Sequence, residues 1–303
     1  MPKKLFPNII ALDIGGTKIN IGLIDKFGRL TESKKITTPQ NISTNKFNDN
    51  IYKLIGGFKN KQTVKIGVAL AGQISWPDGL IINAPNLKLL NHTNLKKYLQ
   101  WKLKLPVFVD NDAHCFALSE AILGSGQKYD NVVGLTLGTG IGGGIIINHK
   151  IIRGTNNNAG EFGHMQIATS GFRCSCGLLG HLESYVSGRG MIKIFKQLTN
   201  KELDTFSIEK LFYKKNKAAR QTFFIMSKCL GMGLANIASG LNPDIIVIGG
   251  GLIRVKPIWQ EAINNYFPKY VFYNQLKKTK ITISKLGDNS VLLGAALITT
   301  NNY

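Results

Sequence analysis

Short runs of β-branched and aliphatic residues, broken by glycine, set the pattern at the start of the chain. Residues 9–13 and 19–24 are two such runs, and the glycines between them predict two strands joined by a tight turn. Residues 47–57 show helical periodicity, and the apolar run at residues 64–70 predicts a buried strand. The first part of the chain therefore predicts strands that alternate with helices.

The order of strand, glycine turn and strand recurs further along. Residues 132–137 predict a strand, residues 138–144 form a glycine-rich loop, and residues 145–147 predict the next strand. Helices are expected over much of residues 191–236, before a buried strand at residues 245–248. Strands that alternate with helices are typical of α/β architecture.

The chain of 303 residues is long enough for two domains. Each half opens with a glycine-turned hairpin, which suggests two domains that flank one cleft. We predict a smaller N-terminal α/β domain over residues 1–112, which a helix expected at residues 289–303 could complete. A larger α/β domain is predicted over residues 113–288.

A candidate phosphate site lies in the first turn, in the run Asp13-Ile14-Gly15-Gly16-Thr17-Lys18. Glycines let backbone N–H groups approach a phosphate closely, while Thr17 offers a hydroxyl and Lys18 offers a charge. Asp13, at the end of a predicted strand, could hold Mg²⁺ directly or through water. The alternative interpretation is a tight hairpin with an incidental acid.

The second glycine loop matches the pattern G-x-G-x-x-G through Gly138, Gly140 and Gly143. In a dinucleotide-binding protein a helix opens at the third glycine, whereas residues 145–147 predict a strand, so that interpretation fails. No glycine-rich run ends in Gly-Lys-Ser or Gly-Lys-Thr, so the chain has no Walker A motif. A second phosphate-binding hairpin fits the pattern better.

Asp110, Asn111 and Asp112 stand where a strand passes into a predicted helix. Helix capping is the commoner role for a single acid at such a place. In the functional interpretation, one aspartate accepts the proton of an attacking hydroxyl and Asn111 holds a sugar, because phosphoryl transfer needs a base close to the nucleophile. The residue types alone leave both interpretations open.

Four potential metal ligands, His164, Cys174, Cys176 and His181, lie within eighteen residues. Two cysteines and two histidines suit tetrahedral Zn²⁺, and a set of four protein ligands indicates a structural rather than a catalytic ion. Cys174 and Cys176 are too close in sequence to form a comfortable disulfide. Burial is the alternative for any single member of this group.

Composition and charge narrow the function classes. The formal net charge is +21, but the lysines are scattered and no dense arginine tract or aromatic-interleaved basic stripe occurs, so we expect no nucleic-acid partner. No apolar run reaches eighteen residues, and the run near the N-terminus is too short for a secretory signal. We therefore expect a cytoplasmic protein with no membrane partner.

Taken together, these motifs resemble the ROK family (repressors, open reading frames and sugar kinases) from about residue 9 to the C-terminus. The most specific part is Glu161-Phe162-Gly163-His164, followed by Cys174-Ser175-Cys176-Gly177 and then Glu183. The resemblance implies an α/β fold of the actin-like ATPase (ribonuclease H-like) type, with ATP in the cleft between two domains. It also implies phosphorylation by Mg-ATP of the 6-hydroxyl of N-acetyl-D-glucosamine or a related hexose.

The resemblance further implies roles for individual residues, with Asp112 at the position of the family's catalytic base. The sugar ligands that it implies are Asn111, Glu161, His164 and Glu183, with Gly72 on the loop opposite and Asn83 in the loop at residues 73–87. The phosphate hairpins that it implies are Gly15, Gly16, Thr17, Gly138, Thr139 and Gly140, and the adenosine site is Gly249, Gly250 and Gly251. Asp13 and Lys18 complete the predicted ATP site.

His181 departs from the family pattern, which usually has a third cysteine at this position. Imidazole can replace thiolate at zinc, so we expect the metal site to survive. The family also contains sugar-responsive repressors, but these carry a helix-turn-helix domain before the kinase-like part, and the phosphate hairpin here begins already at Asp13. A chaperone-like or filament-forming ATPase of the same broad fold has no use for Glu161, His164 and Glu183 around a zinc site.

Several substrates stay open among the sugar kinases. Glucose, N-acetylmannosamine and fructose kinases share these motifs, and a non-catalytic sugar sensor is a further alternative. The string Asn83-Ala84-Pro85-Asn86-Leu87 is more like the family's glucokinases, whereas the rest of the chain is more like its N-acetylglucosamine kinases. The resemblance also implies a homodimer.

Overall fold

The computed structural model of the protein describes residues 8–274 and 276–300 and divides into two compact units. The first unit contains the chain up to Gln127, Gly144–Ala159 and the residues from Leu286 onward. The second unit contains Lys128–Gly143 and Gly160–Lys285. The domain boundary predicted at residue 112 stays a prediction, because a compact unit need not be a domain that folds by itself.

Strands form from the apolar runs that the sequence pattern indicated, and the strands predicted at residues 9–13, 19–24, 132–137 and 245–248 are confirmed. In chain order the strands are β1 (Ile9–Ile14), β2 (Lys18–Ile24), β3 (Leu30–Thr37), β4 (Lys65–Leu70), β5 (Gln73–Ile74), β6 (Ile81–Asn83), β7 (Val107–Asn111), β8 (Val132–Leu137), β9 (Ile141–Ile147), β10 (Lys150–Ile152), β11 (Ile245–Gly249) and β12 (Lys280–Ile283).

Helices begin mostly at residues whose side chains accept a hydrogen bond from the first turn. In chain order they are α1 (Thr44–Phe58), α2 (Leu95–Leu103), α3 (Asp112–Ile122), α4 (Gly188–Thr199), α5 (Thr205–Tyr213), α6 (Lys217–Leu241), α7 (Lys256–Glu261), α8 (Phe267–Tyr270) and α9 (Ser290–Leu297). The capping residues of α1 to α6 are Ser43, Asn94, Asn111, Ser187, Asp204 and Asn216. Residues 301–303 of the predicted C-terminal helix lie outside the described residues.

The sheet of the first unit has the strand order β3-β2-β1-β4-β7. β1 runs antiparallel to β2 and parallel to β4, and β4 runs parallel to β7. The register pairs Ile14 with Leu70 and Leu70 with Asn111, so three parallel strands end at the same edge. Ligands of open α/β sheets bind at this carboxyl edge, where Asp13, Gly72 and Asn111 lie.

Both faces of the first sheet are covered, which explains why β1 is almost wholly buried. Phe47, Ile51 and Ile55 of α1 share one core with the apolar side chains of β1 and β4. α9 packs on β1 and β4 and approaches so closely that a Cβ on Gly67 would lie 1.7 Å from Ala295 O. The sheet is therefore held rigidly behind its carboxyl edge.

The second sheet has the strand order β10-β9-β8-β11-β12, and the boundary between the units falls inside β9. β11 runs parallel to β8 and β12. The register pairs Gly249 with Thr136, so the ends of β8 and β11 lie side by side. Residues 138–140 directly follow β8, and residues 249–251 lie at the end of β11. Both glycine segments therefore lie at the same edge of this sheet.

The longest helix of the second unit, α6, is long and apolar enough to cross a membrane by length and composition alone. Half of its most apolar window is buried inside the protein. It packs against α4, α5, α7 and α8, as the central helix of a globular unit does. Its apolar character is thus accounted for by packing within the second unit.

Candidate active site

The turn between β1 and β2 is closed by a hydrogen bond from Gly15 N to Lys18 O at 3.0 Å. Thr38 Oγ1 donates to Gly15 O at 2.7 Å, and Gln40 Nε2 donates to Gly16 O at 2.9 Å. Both glycine carbonyls are therefore bonded within the protein. Neither oxygen is left to repel an anion, whereas Gly15 N is itself used to close the turn.

Glycine at the second position of this turn is required by the neighbouring loop. A Cβ on Gly16 would lie 2.5 Å from Asn86 Cβ, so a larger residue would push the loop away. Thr17 and Lys18 are exposed to solvent. The turn thus presents the hydroxyl and the ammonium group that the sequence predicted for phosphate.

Asp13 is half-buried near the end of β1, where Asn20 Nδ2 donates to its Oδ2 at 2.8 Å. Burial, followed by the negative charge of Asp112, raises the pKa of Asp13 to about 6. Two carboxylates that influence each other in this way share a local region. A divalent cation would relieve their repulsion, so the pair fits the predicted Mg²⁺ contact.

Asn111 caps α3 and ties the start of this helix to the loop after β4. Its Oδ1 accepts from Ala113 N at 2.8 Å and from His114 N at 3.1 Å, while its Nδ2 donates to Gly72 O at 2.9 Å. A Cβ on Gly72 would lie 2.5 Å from Asn83 O. The structure therefore brings together three of the predicted sugar-site residues.

Asp112 is the first residue of α3 and is half-buried. Its Oδ1 accepts from its neighbour Ala113 N at 2.9 Å. Burial raises the pKa of Asp112, against the lowering effects of the backbone hydrogen bonds and of His114. A carboxylate with a raised pKa is a better proton acceptor than an exposed one, so Asp112 suits the role of base.

The glycine loop of the second unit lies against Glu183. Gly138 N donates to Gly140 O at 2.9 Å, and Gly188 N at the start of α4 donates to Gly138 O at 2.8 Å. Ile141 N donates to Glu183 Oε2 at 3.0 Å, and a Cβ on Gly140 would lie 2.4 Å from that same oxygen. The Glu183 carboxylate thus supports the loop directly.

The three glycines after β11 pack beside the strand that precedes this loop. Gly250 has a φ of 86°, and a Cβ on it would lie 2.4 Å from Leu137 O. A Cβ on Gly251 would meet only open space. Two segments that the sequence predicted for ATP, residues 138–140 and 249–251, therefore lie next to each other in the second unit.

His164, Cys174, Cys176 and His181 converge in the second unit, with all four ligand atoms within 4.8 Å of one another. His164 Nδ1 lies 3.3 Å from His181 Nδ1 and 3.7 Å from Cys174 Sγ, and Cys176 Sγ lies 3.2 Å from His181 Nδ1. A tetrahedral zinc ion would place two nitrogens about 3.3 Å apart and a nitrogen and a sulfur about 3.5 Å apart. The donor set and its spacing therefore fit such an ion.

The predicted sugar ligands of the second unit surround this cluster. His164 turns Nδ1 into the cluster and Nε2 toward Glu161 Oε2, at 3.8 Å. Glu183 Oε1 accepts from Ser175 Oγ at 2.8 Å, and Ser175 stands between the two cysteines. His164 is thus a member of the cluster, and Glu161 and Glu183 lie beside it.

Comparison with known proteins identifies the family, whose model matches residues 9–302. The chain belongs to the ROK family. Over 298 residues it is 34% identical to an N-acetylgalactosamine kinase of Shewanella sp. (strain ANA-3), with 95% of each chain covered. It is 33% identical over 298 residues to an N-acetyl-D-glucosamine kinase of Salmonella paratyphi B, with 94% of this chain and 97% of the other covered.

Among solved ROK structures, the chain is similar to a glucokinase from Streptomyces griseus in complex with glucose and AMPPNP. The TM-score is 0.82 at 30% identity, and the match covers 96% of this chain and 98% of the other. The predicted actin-like α/β fold and the resemblance to ROK sugar kinases are therefore confirmed.

Asp110 is the centre of a buried network that the sequence analysis of this ROK protein missed. Its side chain is fully buried, and Oδ1 accepts from Asn111 N at 2.8 Å and from Asn157 Nδ2 at 2.9 Å. His114 Nδ1 lies 3.1 Å from the same oxygen, and Arg153 Nε donates to Oδ2 at 3.1 Å. Asp110 is thus committed to structure, and the predicted role of base falls to Asp112 alone of the two acids.

The charge of Asp110 is maintained despite its burial. Burial alone raises the pKa of Asp110, but the hydrogen bond and charge of His114, the charge of Arg153 and the Asn157 hydrogen bond bring it below its ordinary value. The four-residue spacing of Asp110 and His114 was available in the sequence. Arg153 is 43 residues away from Asp110 in sequence, so no local sequence pattern could predict that contact.

Proposed function

We propose that this protein is an ATP-dependent sugar kinase that phosphorylates the 6-hydroxyl of an N-acetylhexosamine, with N-acetyl-D-glucosamine as the preferred substrate. The observation that carries the proposal is Asp112, a half-buried carboxylate at a helix start whose charge raises the pKa of Asp13 near the phosphate turn. The N-acetylhexosamine kinases among the relatives support this substrate class.

In the proposed reaction, the 6-hydroxyl oxygen attacks the γ-phosphorus of ATP while Asp112 accepts the hydroxyl proton. The bond between the γ-phosphorus and the bridging oxygen breaks, and ADP leaves with the bonding electrons. The raised pKa of Asp112 favours this proton transfer. Asp13 holds the Mg²⁺ of the Mg-ATP substrate, directly or through water.

The residue assignments for ATP and sugar follow the family resemblance. For ATP we assign Asp13, Gly15, Gly16, Thr17, Lys18, Gly138, Thr139, Gly140, Gly249, Gly250 and Gly251. For the sugar we assign Gly72, Asn83, Asn111, Asp112, Glu161, His164 and Glu183. The hydrogen bond between Asn111 and Gly72 and the contact of Glu183 with the glycine loop support these assignments.

We further propose that the cysteine–histidine cluster holds a structural Zn²⁺ through His164 Nδ1, Cys174, Cys176 and His181. Burial, followed by the charge of His164, lowers the pKa of His181, which favours the neutral imidazole that binds metal. The ion supplies no chemistry to the transfer; it holds the segment that carries Glu161 and Glu183. His181 faces Cys176 at 3.2 Å, which supports its role in place of the family's usual cysteine.

The experiment that tests this function is ADP release from Mg-ATP with a panel of sugars. The panel is N-acetylglucosamine, N-acetylgalactosamine, N-acetylmannosamine, glucose, mannose and fructose. Strong turnover with N-acetylglucosamine and little with glucose is the expected result. Preference for another sugar would leave the proposed mechanism in place but contradict the assignment of N-acetyl-D-glucosamine as the preferred substrate. If the folded protein turned over none of these sugars, the proposal that it is a sugar kinase would be wrong.

The remaining expectations concern the state of the protein in the cell. We propose a cytoplasmic homodimer, because the predicted ligands are small intracellular molecules and the ROK resemblance implies dimers. Light scattering of the purified protein tests the oligomeric state. A monomer at micromolar concentration would contradict this part of the proposal without affecting the kinase assignment.

A further inference from the structure

His114 is a buried histidine in the first turn of α3, two residues after the proposed base. Its side chain is 3% exposed. Nδ1 lies 3.1 Å from Asp110 Oδ1, and Nε2 lies 3.0 Å from the backbone oxygen of Ala159. The ring therefore joins α3, the end of β7 and the segment after β10.

Both partners of His114 are hydrogen-bond acceptors. A carbonyl oxygen only accepts, and the Asp110 carboxylate, which Arg153 and Asn157 keep ionised, also only accepts. A neutral imidazole has one donor and one acceptor nitrogen, so one of the two contacts would set acceptor against acceptor. Only the doubly protonated imidazolium satisfies both contacts.

The charges around His114 agree with this protonation state. Burial alone lowers the pKa of His114, and Arg153 also lowers it, but the hydrogen bond and charge of Asp110 and the Ala159 bond raise it above the ordinary value. Asp112 on its own helix is the other carboxylate nearby. Of the other elements that contact α3, β9 and α9 contain no charged residue, whereas β10 carries the exposed Lys150 and β4 carries Lys65, which donates to Thr299 O.

We propose that His114 is a positioning residue for the kinase reaction: a buried imidazolium that fixes the start of α3 and acts as the charge partner of Asp112. This inference rests on the proposed function of Asp112. Asp112 lies near two other acids, Asp110 and Asp13, and the positive charges of His114 and Arg153 offset part of this negative charge. His114 thereby keeps the base in its proton-accepting form although it is half-buried.

The test compares the pH dependence of kcat/KM for the wild type, His114→Asn and the control His149→Asn. His149 is exposed with a φ of 61°, a conformation that asparagine tolerates. Loss of the imidazolium should move the acid limb of the His114→Asn profile up by about one pH unit, because a nearby opposite charge has been removed. The control should keep the wild-type limb. A His114→Asn variant with lower kcat/KM at every pH but an unshifted acid limb would overturn the proposal. A purely structural role of His114 would lower kcat/KM without changing its pH dependence.

A measurement on the wild type avoids any dependence on the folding of the variant. Nuclear magnetic resonance of protein with isotope-labelled histidine reports whether both ring nitrogens of His114 carry protons at neutral pH. A doubly protonated ring supports the proposal, and a neutral ring overturns it. If the ring is doubly protonated but no sugar elicits ADP release, the kinase function fails and the charge partnership with Asp112 stands.

Discussion

The two candidate sites of this protein are organised in opposite ways. At the start of α3 the charged groups satisfy one another, since Asp110 is bonded by His114, Arg153 and Asn157. At the cysteine–histidine cluster four potential metal-ligand atoms lie within 4.8 Å of one another. The two Nδ1 atoms of His164 and His181 lie 3.3 Å apart, and at most one proton fits between them.

This difference teaches how each site is kept in place. The first site is organised by the protein alone, so its geometry should not depend on any added metal. In our proposal the second is held by a zinc ion at its centre, because a metal ion accepts electron pairs from four donors at once. Substitutions in the first site should therefore change rate and global stability, and substitutions in the second should change metal content.

The largest effect is expected for Asp112→Asn. Removal of the proposed base should lower kcat by about 10²–10⁴-fold while the fold is retained, because the amide cannot accept the proton. Sugar-dependent ADP release measures this, with circular dichroism to verify folding. Asp130→Asn, an exposed acid between α3 and β8, is the matched control and should keep full turnover. Near-full turnover by the Asp112 variant would exclude Asp112 as the base.

The next largest effect is expected for Asp110→Asn. The substitution leaves the buried His114 and the partly buried Arg153 without their carboxylate, so the free energy of unfolding should fall by about 3 kcal/mol. Urea unfolding measures the change. Glu202→Gln, which breaks an exposed pair with Lys196, is the control and should be close to neutral. Equal, small losses in both variants would mean that the network does not hold the first site.

A smaller and pH-dependent effect is expected for Asp13→Asn. The folded-state pKa of Asp13 is raised from 3.8 to about 6, so folding disfavours its ionised form. The asparagine variant should therefore be more stable by about 2 kcal/mol at about pH 8, allowing for partial exposure, and should lose activity. This gain should vanish as the pH falls through 6 toward 3.8, where the carboxyl is neutral in both states. Urea unfolding across this range tests it, and a gain that persists in acid would refute the assigned cause.

The smallest effect on global stability is expected for Cys176→Ser, because Cys176 is exposed and lies in an irregular segment. Zinc affinity should weaken by at least about tenfold, since a thiolate ligand is lost. Elemental analysis of purified protein measures bound zinc. Cys229→Ser is the control, because burial in α6 raises the pKa of that thiol to about 12 and keeps it away from metal chemistry. Unchanged zinc in the Cys176 variant would remove this residue from the site.

Features that depend on short sequence separations were predictable. The four metal ligands lie within eighteen residues, so the loop that joins them can bring them together in few ways. Two glycines between apolar runs predicted the turn between β1 and β2. A cap was expected from one of the acids at residues 110–112, whereas contacts with Ala113 and His114 show that Asn111, predicted as a sugar ligand, is the cap. Its role toward sugar stays a prediction.

Features that depend on neighbours distant in sequence were not predictable. The strand β3 was missed because its residues are nearly all polar and exposed, and its conformation comes from pairing with β2 at the edge of the sheet. The link from Glu183 to Ile141 spans 42 residues, and that from Asp110 to Arg153 spans 43. Such pairs form only when the packing of strands and helices brings residues distant in sequence into contact.

By itself, the sequence determined the α/β pattern, the two glycine turns, the zinc-like ligand set and membership of the ROK family. All of these follow from the order of residues along a short stretch of chain, which covalent geometry carries directly into local structure. Only the tertiary structure decided that Asp110 is structural, that His114 is its buried partner, and that Asp112 raises the pKa of Asp13. These outcomes depend on burial and on charges that meet across elements, and the electrostatics of a carboxylate is determined by its surroundings rather than by its position in the chain.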